Sequence, residues 1–294
     1  MSLTDAVDYG ENARRIAVAD AILVTASNGL SISEGLNIFA DDASFETQFG
    51  AFKRAFGIRS IIQGTMFSWT DEESRWAFLA RLIRHYCCDY TKTAIMDDLL
   101  CIVGDRPYFV LTSNAECHFE LAGFDAQRIF EVEGNFSQMQ CARACHRDVY
   151  PTFDLAERLV QETCDCRVPT ASVPRCPRCG GPMRLRLQQD RYFVADEAAQ
   201  ARLGEFLTKY RDGRLVVLEL GIGPRNQLIK APVMGLVASA PRITYVTVNR
   251  GELYIPAQIA EKSFGIDAPI DEALCGIREG LSRQLGIFEF SLTW

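Results

Sequence analysis

The chain has 294 residues, of which 48% are hydrophobic and 23% are charged. This balance is ordinary for a folded protein and excludes disorder, collagen-like repeats and a long coiled coil. The formal net charge of −7 argues against a nucleic-acid partner held by positive potential. No apolar run approaches the roughly 18 residues that a membrane span needs, and the first residues lack the basic start of a signal peptide. We therefore expect a cytoplasmic protein, without a nucleic-acid or membrane partner, of about two domains.

The predicted elements begin with a helix over residues 11–20 that leads into a short buried strand, Ala21–Thr25. A loop rich in Gly, Ser and Asn follows at Ala26–Ser33. Residues 42–104 carry helical periodicity and are expected to form a helical insert.

Strands and helices continue to alternate beyond this insert. The further predicted strands are Tyr108–Leu111, Arg128–Val132, Leu215–Leu220 and Ile243–Val248. Further helices are predicted at 194–210, 255–261 and 269–284. The alternation predicts an α/β fold with a doubly wound, Rossmann-like parallel sheet. Ligands of such sheets bind at the carboxyl ends of the strands, and four of the predicted ends carry Gly, Ser, Thr or Asn.

Residues 141–191 interrupt the alternation and are expected to form a smaller inserted module. The cysteines with metal-ligand spacing are Cys141, Cys145, Cys176 and Cys179. Two such pairs can converge on one tetrahedral Zn²⁺, and four thiolates leave no open position for a catalytic water. The sequence therefore predicts a structural zinc site. Cys164 or Cys166 replacing one of these ligands is an open alternative.

Polar residues at three strand ends are candidates for ligand binding. The loop from Thr25 to Gly35 could present backbone N–H groups to a phosphate, although such a loop is often only a turn. Asn114 follows the next strand and is otherwise explained by an Asx turn. Glu133 follows a third strand, and its simpler explanation is a solvated loop acid. The three histidines form no recognisable catalytic array, so His118 is expected to be a packed or surface residue.

These segments resemble the motifs of the sirtuin family. Val24–Phe39 is similar to the glycine-rich NAD loop of sirtuins, and Thr112–Glu116 is similar to their Thr-Gln-Asn-Ile-Asp segment. Glu131–Asn135 is similar to the segment that carries their catalytic histidine. The two cysteine pairs match the sirtuin zinc module.

Two later segments continue the resemblance. Gly221–Gly223 is similar to the ribose-binding turn of sirtuins, and Asn249 ends a late strand as it does in the family. The signals follow the family's order over about residues 15–250. The finer match is to the class M sirtuins, the macrodomain-linked group, whose extended Ser-Asn-Gly-Leu-Ser loop this chain resembles.

The resemblance implies a fold and a division into domains. Residues 1–140 and 192–294 would form a Rossmann-like NAD-binding domain that includes the helical insert at about 42–104. Residues 141–191 would form the smaller zinc-binding module with its four cysteine ligands. NAD would be a co-substrate and Zn²⁺ a structural ion.

The resemblance also implies site residues. Those expected to contact NAD are Ala26, Ser27, Gly29, Ser31, Gly35, Phe39, Ser113, Asn114, Gly221, Gly223 and Asn249. Among the residues expected to take part in the chemistry, Asn114 would orient the ribose hydroxyls or an attacking group, and Glu116 would bind the nicotinamide carboxamide. Glu133 would stabilise positive charge at the ribose C1′ or act as a general base.

Several positions depart from the family pattern. Deacylating sirtuins have histidine at the position of Glu133, and class M members typically have glutamine. Ala40 stands where deacylases have arginine, and Ile38 stands where they have aspartate. These departures argue against the histidine-dependent deacylation cycle and leave the cleavage of NAD intact.

We therefore predict an NAD-dependent protein mono-ADP-ribosyltransferase. Its acceptor, inferred from the class M relatives, is a protein such as a lipoylated carrier resembling the glycine-cleavage H protein. A separate macrodomain hydrolase would reverse the modification. The alternatives are an NAD-dependent deacylase with Glu133 as its base, and an NAD hydrolase or NAD-sensing module.

Overall fold

A computed structural model describes residues 9–284 of the chain. The ends of the predicted Rossmann-like ranges, 1–8 and 285–294, lie outside the described residues. The strands are β1 (Ala21–Ala26), β2 (Tyr108–Thr112), β3 (Ile129–Glu131), β4 (Gly134–Cys141), β5 (Val149–Pro151), β6 (Met183–Leu187), β7 (Leu215–Leu220), β8 (Thr244–Val248) and β9 (Ser263–Ile266).

Eleven α-helices lie within the described residues. They are α1 (Tyr9–Ala17), α2 (Asn28–Ser33), α3 (Ala43–Phe56), α4 (Ile61–Thr65), α5 (Glu72–Ile83), α6 (Ala94–Val103), α7 (His118–Leu121), α8 (Phe153–Glu162), α9 (Glu197–Tyr210), α10 (Gln227–Ser239) and α11 (Ile270–Gln284). None of them is both long and apolar enough to cross a membrane.

The larger sheet has six parallel strands in the order β3-β2-β1-β7-β8-β9. Ile22 and Val24 of β1 pack with α1, α6 and α11 on one face, and Leu23 packs with α9 and α10 on the other. Because both faces are covered, every residue of β1 is buried, as expected for a central strand of a parallel sheet. The predicted α/β fold with a doubly wound sheet is confirmed.

The order of the strands reverses between β1 and β7. From β1 the chain builds outward to β2 and β3, and it later returns to add β7, β8 and β9 on the opposite side. Such a reversal leaves a crevice at the carboxyl ends of the two neighbouring strands. The fold thus places the ends of β1 and β7 at the expected ligand position.

The smaller sheet is antiparallel, with the strand order β5-β4-β6. β4 begins at Gly134, so this sheet includes residues upstream of 141. Trp76 and Phe78 of α5 share an apolar core with Leu159 of α8 and Leu185 of β6. The first part of the helical insert therefore packs on the smaller sheet. In contrast, α6 packs on the larger sheet.

Some elements differ from the sequence prediction. The predicted loop Ala26–Ser33 contains the short helix α2, and the helix predicted at 255–261 is a 3-10 helix, Ala257–Lys262. α10 and β9 were not predicted. α10 contains Pro232, which weakens a helical pattern, and β9 is a four-residue edge strand with little pattern of its own.

Candidate functional site

The backbones that follow β1 and β7 touch each other. Gly29 N donates a hydrogen bond of 3.1 Å to Gly221 O. A Cβ atom on Gly29 would lie 2.5 Å from Gly221 Cα, which leaves no room for a side chain. Gly221 has a φ of +62°, which favours glycine. The two glycines bring the loops of the crevice together.

Three polar side chains meet beside this contact. Asn226 Nδ2 donates to Ser27 Oγ at 3.1 Å and to Ser113 Oγ at 2.9 Å. The two serine oxygens lie 3.1 Å apart. These residues follow β7, β1 and β2 respectively, so three loops of the crevice are joined by one cluster. Asn226 was missed by the sequence prediction.

Asn114 is held in one orientation by a chain of hydrogen bonds. Its Nδ2 donates to Ser31 Oγ at 2.9 Å, and that hydroxyl donates to Glu116 Oε1 at 2.5 Å. Glu116 Oε2 accepts a bond from Ala115 N at 3.1 Å. Asn114 Oδ1 is buried and accepts no hydrogen bond. A ligand group that meets this oxygen must be a donor, such as a hydroxyl.

The other predicted contacts lie around the same edge of the sheet. Ala26 is buried at the end of β1, and Gly35 follows α2 with a φ of +91°. Asn249 Nδ2 donates to Ile222 O at 3.2 Å and so supports the turn that contains Gly223. Phe39 is 53% exposed, and it lies in the wall of the cavity described below.

Glu133 lies in the tight turn that joins β3 of the larger sheet to β4 of the smaller one. Gly134 permits this turn with a φ of +82°, and a Cβ there would lie 1.8 Å from Arg186 O. Glu133 O accepts a hydrogen bond of 2.9 Å from Gln188 N, which follows β6. Burial raises the pKa of the Glu133 carboxyl. The turn places a carboxylate where the two sheets meet.

A cavity of about 690 Å³ opens between the larger sheet, the helical insert and the end of β6. Four predicted site residues line it: Phe39, Ser113, Glu116 and Glu133. Much of the remaining wall is apolar and includes Ile62, Phe67, Trp69, Phe136 and Leu187. Its size suits a small ligand or an inserted side chain.

A second carboxyl, that of Glu131, lies behind Glu133. Its Oε2 accepts a hydrogen bond from Asn135 Nδ2. Burial raises its pKa to about 8; the bond from Asn135 opposes this shift, and the negative charges of Glu116 and Glu120 add to it. At neutral pH the Glu131 carboxyl is therefore largely protonated.

Sequence reasoning also missed a buried ion pair behind the crevice. Glu34 Oε2 lies 2.9 Å from His118 Nδ1, and each side chain is 1% exposed. His118 Nε2 lies 2.8 Å from Tyr86 O. Because both partners of the ring accept hydrogen bonds, the ring carries a proton on each nitrogen. Burial lowers the pKa of His118, but the bond to Glu34 and nearby carboxylate charges outweigh it, so the pKa is raised. His118 is packed, as expected.

The four predicted metal-ligating cysteines converge. Their sulfur atoms all lie within 4.8 Å of one another, with 3.7 Å for Cys141 to Cys179 and for Cys145 to Cys176. A regular tetrahedron with metal–sulfur bonds of about 2.3 Å has sulfur–sulfur edges of about 3.8 Å. The geometry of the thiols therefore fits a tetrahedral metal ion.

The surroundings of Cys141 favour its thiolate form. Burial raises the pKa of Cys141, but backbone N–H groups of Cys145 and Arg143 outweigh it and bring the value to about 6. Cys164 and Cys166 lie outside the cluster. Cys166 instead packs in the core shared by α5 and α8. The geometry thus brings together the original set of four and not the alternative.

No protein-family model matches the chain. The chain is 27% identical over 257 residues to "Protein ADP-ribosyltransferase" of Staphylococcus aureus (strain Mu50), a match that covers 86% of this chain and 81% of that protein. It is also 27% identical over 260 residues to "Probable bifunctional ADP-ribose hydrolase/ADP-ribosyltransferase" of Fusarium oxysporum f. sp. cubense. That match covers 82% of this chain and 42% of the fungal protein, so the chain spans less than half of it.

Among solved structures, a mutant Sir2 homologue in complex with ADP-ribose matches with a TM-score of 0.60. The match covers 95% of this chain and 98% of that chain, at 11% sequence identity. At this identity the likeness concerns the fold. Together with the sheet order, it shows that the chain has the fold of that Sir2 homologue.

Proposed function

We propose that the protein is an NAD-dependent mono-ADP-ribosyltransferase of the sirtuin type, which releases nicotinamide and transfers ADP-ribose to a protein acceptor. The printed names of both relatives in sequence include ADP-ribosyltransferase, and the structural neighbour was solved with ADP-ribose. These findings support NAD-dependent transfer. We add three finer points to this proposal: the class M type, the acceptor protein and the residues that carry out the reaction.

The observation that carries the proposal is the position of Glu133. This acid lines the cavity between the two sheets, together with Glu116 and Ser113. Deacylating sirtuins have a histidine in the matching segment. A carboxylate at this point stabilises positive charge at a reacting carbon more directly than a neutral imidazole does, which favours cleavage and transfer.

Positive charge develops on the ribose as NAD is cleaved, and the site residues stabilise it. The bond between the ribose C1′ and the nicotinamide nitrogen breaks, and nicotinamide leaves with the electron pair. The ribose carbon becomes cationic, and the Glu133 carboxylate opposes that charge. Asn114 Oδ1, which is buried without a partner, accepts a hydrogen bond from a ribose hydroxyl. We assign Glu116 to keeping Ser31 and Asn114 in place and to meeting the nicotinamide carboxamide.

Glu133 also completes the transfer. The acceptor nucleophile forms a bond to C1′ and gives its proton to the Glu133 carboxylate. Because burial raises the pKa of this carboxyl, it takes up a proton more readily than an exposed glutamate does. The apolar part of the cavity wall excludes water, which would otherwise take the ADP-ribose.

We propose that the cysteine cluster holds a structural Zn²⁺. The sulfur–sulfur distances fit tetrahedral coordination, and no ligand position is left for substrate. The ion would fix the end of β4 relative to the loop before β6, since Cys141 ends that strand.

The acceptor that we propose is a lipoylated carrier resembling the glycine-cleavage H protein. We further propose that a separate macrodomain hydrolase reverses the modification. The support for this second partner is the name of the fungal relative, which combines a hydrolase with a transferase. These two proposals rest on the class M resemblance.

The test uses intact-mass spectrometry on two substrates in parallel. The protein is incubated with NAD and either a lipoylated H-like carrier or an acyl-lysine peptide. The proposal predicts that the carrier gains the mass of one ADP-ribosyl group and that the peptide keeps its acyl group. Loss of the acyl group from the peptide, with an unmodified carrier, would instead make the protein a deacylase that uses Glu133 as its base.

Two variants serve as controls. Asn114→Ala removes the unpaired acceptor and should abolish the gain in mass. Gln48→Ala, a change on α3 at a residue that does not line the cavity, should leave it unchanged. An unlipoylated carrier, included in the same series, shows whether the lipoyl group is required.

A further inference from the structure

The hydrogen bonds among Asn226, Ser27 and Ser113 use all but one of the donor hydrogens of these three side chains. The amide of Asn226 supplies two N–H donors, and each serine supplies one O–H donor. Both amide hydrogens are used, one on each serine oxygen. The two hydroxyls share one further bond, from Ser113 Oγ to Ser27 Oγ. One hydroxyl hydrogen, that of Ser27, then has no acceptor within the cluster.

The neighbouring helix, α2, does not use the hydroxyl hydrogen of Ser27. Ser27 is the residue before α2, where a serine oxygen usually accepts a hydrogen bond from the first turn. Its side chain makes no such bond, and Gly29 N donates to Gly221 O instead. Ser27 is 4% exposed, so its hydroxyl has little access to bulk water. The hydrogen is therefore free to bond to a group that enters the crevice.

The backbone fixes the position of Asn226. Its N–H donates to Gly223 O at 3.1 Å, and its carbonyl accepts from Lys230 N at 3.2 Å. Lys230 Nζ in turn donates to Ile222 O at 2.9 Å from a fully buried position. The side chain of Asn226 thus leaves a rigid turn and reaches across to the ends of β1 and β2.

We propose that Asn226 is a positioning residue that orients the hydroxyl of Ser27 as a donor toward the diphosphate of a bound dinucleotide. A phosphate oxygen is an acceptor only, and it matches a site with an unused donor. The amide acts by donating to both serine oxygens, and with the Ser113 hydroxyl also donating to Ser27 Oγ, the Ser27 hydrogen is left for the ligand. This inference rests on the proposed function, because it takes the dinucleotide to be the ligand of the crevice.

The substitution that tests this role is Asn226→Asp. The side chain keeps its shape, but both of its oxygens accept bonds, so the Ser27 hydroxyl turns toward it and away from the ligand. The expected result is a rise of about 10-fold or more in the Kd for ADP-ribose, measured by calorimetry. KM for NAD should rise by a similar factor, whereas kcat at saturating NAD should stay within about threefold, because the diphosphate does not react.

Gln227→Glu is the matched control. It adds the same charge one residue further along, where the side chain of Gln227 is exposed and bonds to Pro224 O. It should leave the Kd for ADP-ribose within about twofold, as a surface charge change does. Melting curves without ligand show whether Asn226→Asp is folded. If it is not, Asn226→Ala is used, and the same rise in KM without a fall in kcat is expected.

A double-mutant cycle tests whether Asn226 acts through the serines. In a Ser27→Ala, Ser113→Ala background, Asn226→Asp should have at most a third of its effect on the Kd for ADP-ribose. Equal effects in both backgrounds, or a Kd unchanged by Asn226→Asp, would overturn the inference while leaving the proposed function standing. A wild-type protein that binds neither ADP-ribose nor NAD would overturn the proposed function itself.

Discussion

Gly29 N and Gly221 O form a hydrogen bond of 3.1 Å that joins the loop after β1 to the turn after β7. The two strands are neighbours at the reversal of the sheet order, so this bond closes the floor of the ligand crevice. Backbone contact at this distance is possible only because neither residue has a side chain. The relationship gives a physical reason for both glycines in the sirtuin-like motifs.

Gly29→Ala should therefore damage both stability and cofactor binding. Its Cβ would lie 2.5 Å from Gly221 Cα and 2.6 Å from Gly221 O, and backbone atoms cannot move aside cheaply. We expect a loss of about 1–3 kcal/mol in the free energy of unfolding and a KM for NAD raised by at least about 10-fold. Urea unfolding and steady-state nicotinamide release measure the two effects.

Gly204→Ala is the control for this change. Gly204 lies within α9, and a Cβ there would meet nothing within 4 Å. It should raise the free energy of unfolding by about 0.5–1 kcal/mol and leave the KM for NAD unchanged. Similar behaviour of the two variants would contradict the steric explanation.

Glu133→Gln tests the role of the carboxylate with almost no change in shape. If the charged form acts, the wild-type rate falls as pH drops through the pKa of Glu133, which burial raises above its usual value. We expect the variant to lose about 10²-fold or more in kcat and to lose this acidic limb of its pH–rate profile. Identical pH–rate profiles for the two proteins would show that Glu133 plays no part as an ionised group.

Local patterns explain why much of the fold could be predicted from the sequence. β7 is an apolar run, interrupted only by Glu219 and followed by Gly221, and the observed strand matches the predicted Leu215–Leu220. The cysteine pairs are equally local, because three or four residues separate the members of each pair. In contrast, β9 and α10 carry weak local patterns, so their contacts with the rest of the fold decide their structure.

The parts of the site that sequence reasoning missed depend on distant contacts. Asn226 meets Ser27 across 199 residues, and Glu34 meets His118 across 84 residues. Nothing in the neighbourhood of any of these residues predicts such a partner. The predicted strand ends pointed to Asn114 and Glu133, and the resemblance to sirtuins suggested their roles. The hydrogen bonds that orient Asn114 became visible only in three dimensions.

The buried pair of Glu34 and His118 should make stability depend on pH. Since the pKa of His118 is raised in the folded protein, the pair contributes fully below about pH 6.5, and its contribution is lost as pH rises through the folded pKa. Glu34→Gln should lower the free energy of unfolding by about 3–5 kcal/mol at pH 6. Urea unfolding at several pH values measures this, and an equal deficit at pH 6 and at pH 9 would contradict the account.

Glu131 should contribute a second pH dependence in a lower window. Its folded pKa of about 8 exceeds the usual value, so the folded state binds the proton more tightly. Stability from this group is present below about pH 4.3 and is lost between there and about pH 8, by up to about 1.4 kcal/mol per pH unit. Glu131→Gln should flatten this slope. A slope as steep as that of the wild type would show that another group causes it.

Substitution of single cysteines should distinguish the metal ligands from the other cysteines. Cys176→Ser should lower the bound zinc per chain, measured by mass spectrometry of the metal, and should lower the melting temperature. Cys164→Ser should change neither, because Cys164 lies outside the cluster. Loss of zinc in Cys164→Ser with retention in Cys176→Ser would reverse the ligand assignment.

The most direct test of the central claim counts both products of one reaction. Nicotinamide released from NAD and ADP-ribosyl groups carried by the acceptor protein are measured together over time. The account predicts one ADP-ribosyl group on the acceptor for each nicotinamide, and neither product in Asn114→Ala. Nicotinamide that appears with free ADP-ribose, or with an acyl group taken from a lysine peptide, would contradict it.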